Sequence, residues 1–225
     1  MSTYLAINLA IIAVPFMLTF LPAVRFYRQW PALLVTILLV SGFFIFWDAL
    51  VTVRGDWAFN PVHVGHFKLF ALPIEEWLFF LTVPYSCLFL YEGLARFFLD
   101  KMVRYNRWLY LLLAGLSLGA AWLIRDREYT LVVLLVLALV LLLGASVFGR
   151  LFSSRNFWLW SGAGLVLFVI FNNILTSLPV VTYSPAAIIN VRIATIPIED
   201  FFYNFSLLTL YLGTYLWVKK NLPKK

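Results

Sequence analysis

Leu72-Pro73-Ile74-Glu75-Glu76-Trp77-Leu78-Phe79 heads an apolar run that continues to residue 95, and Ile196-Pro197-Ile198-Glu199-Asp200-Phe201-Phe202 heads another that continues to residue 218. A bilayer core of about 30 Å takes roughly 20 apolar residues of helix. Each run is that long, so each motif stands at the mouth of a membrane span. Proline suits the first turn of a helix, because its missing N–H would have no partner there in any case. Carboxylates just behind it meet the positive end of the helix dipole.

The same reading extends over the whole chain. Of its 225 residues, 64% are hydrophobic and 12% charged, and the mean hydropathy is +0.94. A soluble domain is about half apolar and a quarter charged, and a fold of this size in water could not hide so much apolar surface. Spans are expected at 4–23, 31–50, 72–95, 107–124, 129–149, 157–178 and 196–218. These runs are too long for membrane strands and do not alternate. The fold class is therefore an all-α, polytopic transmembrane bundle of about seven helices.

Charge orients it. Lys and Arg on alternate sides of the spans number 12 and 5. The richer side holds Arg25, Arg28, Arg96, Lys101, Arg104, Arg107, Arg150, Arg155, Lys219, Lys220, Lys224 and Lys225. The positive-inside rule places that side in the cytoplasm, with the C-terminus there and the N-terminus outside. The expected location is a bacterial inner membrane. The net charge of +7 flanks apolar runs instead of forming one basic face, which speaks against nucleic acid as a partner. Tyr4 to Leu21 lacks the basic start of a cleaved signal. The single cysteine, Cys87, lies in an apolar run and reads as a small buried side chain.

The two motifs lie 124 residues apart, and the same offset pairs other positions without a gap. Pro61 falls on Pro185, Thr52 on Thr176, Phe44 on Phe168, Lys68 on Arg192 and Phe59 on Tyr183. Asp48 falls on Asn172, keeping polarity without charge. A match that aligns prolines and acids reads as internal duplication. It shifts the spans by four, an even number, so the repeats run parallel and both motifs share one membrane face. The expected organisation is a first three-helix repeat over 1–100, a connecting helix within 101–128 and a second three-helix repeat over 129–225.

Ionisable groups at membrane depth are costly and mark functional sites. A carboxyl among apolar groups, with a second carboxyl nearby, favours its neutral form and becomes a competent general acid. Glu75 and Glu199, identical in the two motifs, are the first acid/base candidates, followed by Glu76 and Asp200, with Asp48 placed to orient or recharge them. If the two halves pack about a pseudo-twofold axis, the motif acids meet in an apolar, aromatic-walled chamber, and Trp47, Trp77, Phe79, Asn172, Phe201 and Tyr203 are candidates to line it. The alternative for the four motif acids is plain capping of helix ends at the interface. His63 and His66 stand three apart in a loop, but the offset puts Ala187 and Asn190 there. They read as a solvated loop, so no metal site is expected.

Phe46-Trp47-Asp48, Gly55-Asp56-Trp57-Ala58-Phe59-Asn60-Pro61 and the two proline-acid motifs resemble the small membrane lycopene cyclases of bacteria and fungi. That family acts as two homologous polypeptides or as both fused in one chain, and the resemblance covers nearly the whole sequence in the fused form. It implies closure of the acyclic ψ-ends of lycopene to β-ionone rings, giving γ-carotene and β-carotene. It implies carotenoid and membrane lipid as partners and no cofactor, and leaves a homo-oligomer open. The chemistry is protonation at C2, attack of the C5–C6 double bond on the C1 cation, and loss of the C6 proton. Aromatic faces stabilise such a cation, and dryness keeps water from capturing it.

Several signatures are missing: a Rossmann glycine motif, a P-loop, and the paired Asp-rich motifs of a membrane prenyltransferase. Two other readings stay open. One is a small proton-coupled transporter, since duplicated halves with mid-depth acids also describe those. The other is a cyclase for longer, C50 carotenoids.

Overall fold

The computed structural model describes residues 1–222. Lys224 and Lys225 of the charge count lie outside them. All seven expected spans are helical: α1 (Thr3–Leu18), α2 (Trp30–Arg54), α3 (Ile74–Phe97), α4 (Arg107–Leu123), α5 (Glu128–Ala145), α7 (Arg155–Ser177) and α8 (Ile198–Asn221). A single extra turn, α6 (Gly149–Phe152), follows a break after Ala145. Four of the described helical stretches, Phe26–Arg54, Ile74–Phe97, Glu128–Ala145 and Arg155–Ser177, are long and apolar enough to cross a membrane. α1 and α4 are shorter, at 16 and 17 residues. Leu38, Phe43, Phe46, Trp108 and Trp122 lie outward and exposed, as a lipid-facing exterior requires.

The ends of the helices differ from the expected bounds where local chemistry intervenes. α1 stops at Leu18, and the chain then turns through Arg25, whose φ is 51°. α2 continues past residue 50 to Arg54 and stops at Gly55, whose φ of 81° only glycine adopts freely. Ile196-Pro197 belongs to a hairpin instead of to α8.

Short strands, absent from the sequence reading, shape both loops ahead of the acid helices. β2 (Lys68–Leu69) pairs with β3 (Leu72–Pro73), and β5 (Arg192–Ile193) pairs with β6 (Ile196–Pro197). Positive φ at Phe70, Ala71 and Ala194 makes the tight reversals. Each hairpin feeds its proline straight into the helix that carries the acids. A third ladder joins the two loops: β1 (Trp57–Phe59) runs antiparallel to β4 (Val181–Tyr183). Its central pair is Ala58 with Thr182, positions 124 apart.

Packing follows the same exchange. α1 lies along α3 and α5 along α8, while α2 crosses to α8 and α7 crosses to α3. α4 packs on α5. A buried cluster that includes Tyr4, Val51, Trp57, Leu72, Tyr129, Leu175 and Ile188 fills the space under the loops. The acids of both helices enter at that end.

Candidate active site

Adjacent residues on a helix point about 100° apart, so the two acids of each motif cannot face the same way. Glu75 and Glu199 turn toward the loops. Glu75 Oε1 accepts from the Ser2 hydroxyl at 2.5 Å and from the Gly65 N–H at 2.8 Å. Glu199 Oε1 accepts from the Thr130 hydroxyl at 2.6 Å and from the Ile189 N–H at 2.7 Å. Each of these glutamates therefore ties a preceding loop, and the start of another helix, to its own first turn. Gly65 comes so close that a Cβ there would stand 2.9 Å from Glu75 Oε1.

Glu76 and Asp200 turn inward, into a cavity of about 440 Å³ shared by α1, α2, α3, α5, α7 and α8. Asp48 of α2 reaches the same cavity. These three carboxyls are 6%, 4% and 1% exposed, respectively. Tyr4 donates to Glu76 Oε2 at 2.7 Å, and the Asp48 and Glu76 carboxyls are in hydrogen-bond contact. Asp48 Oδ1 is buried without a partner. Asp200 accepts three bonds from neutral donors: Tyr129 at 2.8 Å, Tyr183 at 2.7 Å and Asn172 Nδ2 at 3.0 Å. Burial lifts the Tyr183 hydroxyl well above its ordinary range, with the neighbouring Asp200 charge adding to the effect, so it stays a donor.

The rest of the wall is mostly apolar, with Ser86, Tyr203 and Asn204 as its polar members. Glu76, Phe79, Val83, Cys87 and Leu90 line it along one side of α3, a stretch of about 21 Å at the helical rise. Phe168 and Phe171 of α7 and Leu207 and Leu208 of α8 face them. The β1–β4 ladder roofs the acidic end with Trp57, Phe59, Val181 and Tyr183. The shape is a greasy slot closed over three carboxyls by aromatic rings. Its length and lining match the shape and polarity of an extended hydrocarbon, with the acid groups at one end.

Of the sequence candidates, Asp48, Glu76, Asp200, Phe79, Asn172 and Tyr203 line this cavity. The Tyr203 hydroxyl is buried without a partner. Glu75, Glu199, Trp47, Trp77 and Phe201 do not line it. Trp47 sits under the Arg54 guanidinium at 5.4 Å. Trp77 donates to the Leu69 carbonyl at 3.2 Å. Phe201 packs edge-on against Phe168 at 5.2 Å. His63 meets the Thr3 hydroxyl at 3.0 Å in the loop.

Three tyrosines at the acids escaped the sequence reading. Tyr4 and Tyr129 each stand at the start of a span, where a tyrosine reads as an interfacial anchor. Tyr183 appeared only as the counterpart of Phe59. A hydroxyl-bearing ring at the opening of both the first and fifth spans was the available signal.

The family model described as lycopene cyclase matches residues 1–94 and 126–218. No curated protein and no solved structure matches the chain.

Proposed function

The chain belongs to the lycopene cyclase family, and we propose that it closes the ψ-ends of lycopene to β-ionone rings, giving γ-carotene and then β-carotene. The observation that carries this reading is the 440 Å³ slot with Asp48, Glu76 and Asp200 at one end and apolar walls along α3. A carboxyl protonates C2 of the terminal double bond. C6 then bonds to the C1 cation, and loss of the C6 proton leaves the ring double bond. Atoms and electrons balance without an oxidant or reductant, so the stoichiometry calls for no redox cofactor. Trp57, Phe59, Phe79 and Phe171 face the cation with their rings. The apolar wall keeps water away from it.

In this reading Asp48, Glu76 and Asp200 do the proton chemistry. Glu75 and Glu199 position them by anchoring the loops. The two halves, 1–100 and 129–225 with α4 between them, descend from one duplicated unit. The 124-residue offset and the crossed packing of α2 and α7 support this. The protein lies in a bacterial inner membrane with its N-terminus outside and its C-terminus cytoplasmic, as the lysine and arginine bias directs.

The test is pigment analysis of lycopene-accumulating cells that express the chain. β-Carotene, with γ-carotene as the intermediate, is the expected product. Unchanged lycopene, with the protein present in the membrane, rejects the proposal. Glu76→Gln should abolish ring formation without loss of protein.

A further inference from the structure

The acids at the cavity keep different company in the two halves. In the first, Asp48 and Glu76 touch, and among the described residues neither belongs to a salt bridge. Two carboxyls in contact and without a cation must hold a proton between them. Tyr4 supports the Glu76 side of the pair, while Asp48, buried, lines the cavity beside it. In the second half the position of Asp48 is taken by Asn172, which donates its amide hydrogen to Asp200. Tyr129 and Tyr183 donate as well. Bonds from neutral donors are strongest to an ionised acceptor, and three of them converge on this one carboxylate.

We infer that the halves divide the reaction, with the Asp48–Glu76 pair as the acid and Asp200 as the base. This rests on the cyclase reading and assigns the two proton transfers within it. The proton held by the pair leaves its oxygen and bonds to C2. The electrons of the C5–C6 double bond form the C1–C6 bond and move the cation to C5. The C6–H bond then breaks, its electrons restore the C5–C6 double bond, and Asp200 takes the proton. One ring leaves the pair a proton short and Asp200 a proton richer, and the two sites exchange that proton before the next ring. Asp200 also sets which product forms. The C5 cation can lose a proton from C6, from C4 or from the methyl on C5, and the base at the right place selects C6.

The experiment compares Asp48→Asn with Asp200→Asn in the full-length protein, in membranes loaded with lycopene and suspended in deuterated water. Asp48→Asn should yield no ring of any kind and no deuterium in recovered lycopene, a loss of at least about a hundredfold. Asp200→Asn keeps the shape of the side chain and an oxygen for one of its two tyrosine donors, which bond to different carboxylate oxygens. It should still protonate and close the ring, with deuterium at C2, but give rings whose double bond is displaced to C4 or to the exocyclic methyl carbon. Asp200→Glu, which returns a carboxylate, should restore part of the β-ring product, and it decides the matter if Asp200→Asn fails to accumulate. The assignment is overturned if Asp48→Asn makes rings, if Asp200→Asn takes up no deuterium, or if it makes only β-rings at the native rate. Wild-type protein that forms no rings overturns the cyclase reading and this assignment together. Wild-type rings with the wrong variant pattern overturn the assignment alone.

Discussion

Between residues 48–76 and 172–200 the molecule builds nearly the same object twice, and the two versions diverge where the cavity begins. Both have a hairpin that delivers a proline to a helix, a glutamate that holds the loop, and a second acid turned inward. The loop-holding bonds agree almost atom for atom: Gly65 and Ile189, 124 residues apart, donate to Glu75 and Glu199 at 2.8 Å and 2.7 Å. The inward acids do not agree. Glu76 has a carboxyl and one phenol beside it, and Asp200 has an amide and two phenols. In the duplication proposed above, the scaffold keeps its geometry in the shared residues and acquires unlike chemistry in the residues that differ. On that proposal, identity between the halves marks framework, and divergence marks the reacting groups.

The most severe way to break this contrast is to erase it. Asn172→Asp gives Asp200 the neighbour that Glu76 already has. The new carboxyl pair must hold a proton, and the base is then occupied. Ring formation should fall by about a hundredfold or more, on the scale of a lost general base. Initial rates of β-ring formation in isolated membranes measure it, and a variant within about threefold of wild type would remove the distinction between the halves.

The framework side of the contrast predicts symmetry. Glu75→Ala and Glu199→Ala each remove a carboxyl group that accepts from a hydroxyl and from a loop N–H. Hydrogen bonds to charged groups contribute about 1.5–3 kcal/mol, and buried donors left unsatisfied add to the cost. Both variants should lower the melting temperature in detergent by similar amounts, while cyclisation per folded molecule stays within about threefold at low temperature. If one alone abolishes activity at full stability, that glutamate belongs to the chemistry.

A smaller effect sharpens the view of Asp200. Tyr129→Phe and Tyr183→Phe each remove one of its three donors. The loss of about 1–1.5 kcal/mol expected for one hydrogen bond corresponds to about tenfold in β-ring formation. Some displaced-double-bond product should appear as the carboxylate loosens. Chromatography of the pigments reads both.

Much of the fold was legible because lipid makes hydropathy decisive. Every expected span is a helix, and the offset of 124 residues reappears at the centre of the β1–β4 ladder. The acid motifs were legible for the same reason, since charges are expensive there. Which acid faces inward was not. Glu75 and Glu76 are neighbours in sequence, and the rotation of α3 comes from its packing against α1, α2, α7 and α8 together with the hairpin at Phe70-Ala71. The identity of Glu75 with Glu199 drew the sequence reading to the pair that holds loops. The hairpins themselves carry no glycine at their positive-φ turns, so the usual turn signal was missing. Tyr4 and Tyr129 looked like interfacial anchors, and their hydroxyls find the acids only once α1 packs on α3 and α5 on α8.

The mildest asymmetry lies where each half leaves the helix that precedes its loop. α2 ends on Gly55 at φ 81°, whereas α7 ends through Leu178 at φ −82° and passes into Pro179 at the position that matches Gly55. At this helix exit only the first half uses a left-handed residue. A Cβ added at Gly55 meets nothing within 4 Å, so Gly55→Ala costs backbone strain alone, about 1 kcal/mol. The melting temperature should drop slightly and activity should be unchanged, because Asp48 lies nearly two turns upstream of the cap, in the body of α2. A large loss of β-carotene in this variant, with the protein still folded, would mean that the Gly55 turn steers Asp48 toward Glu76. The first half would then owe its acid pair to a backbone feature that the second half lacks.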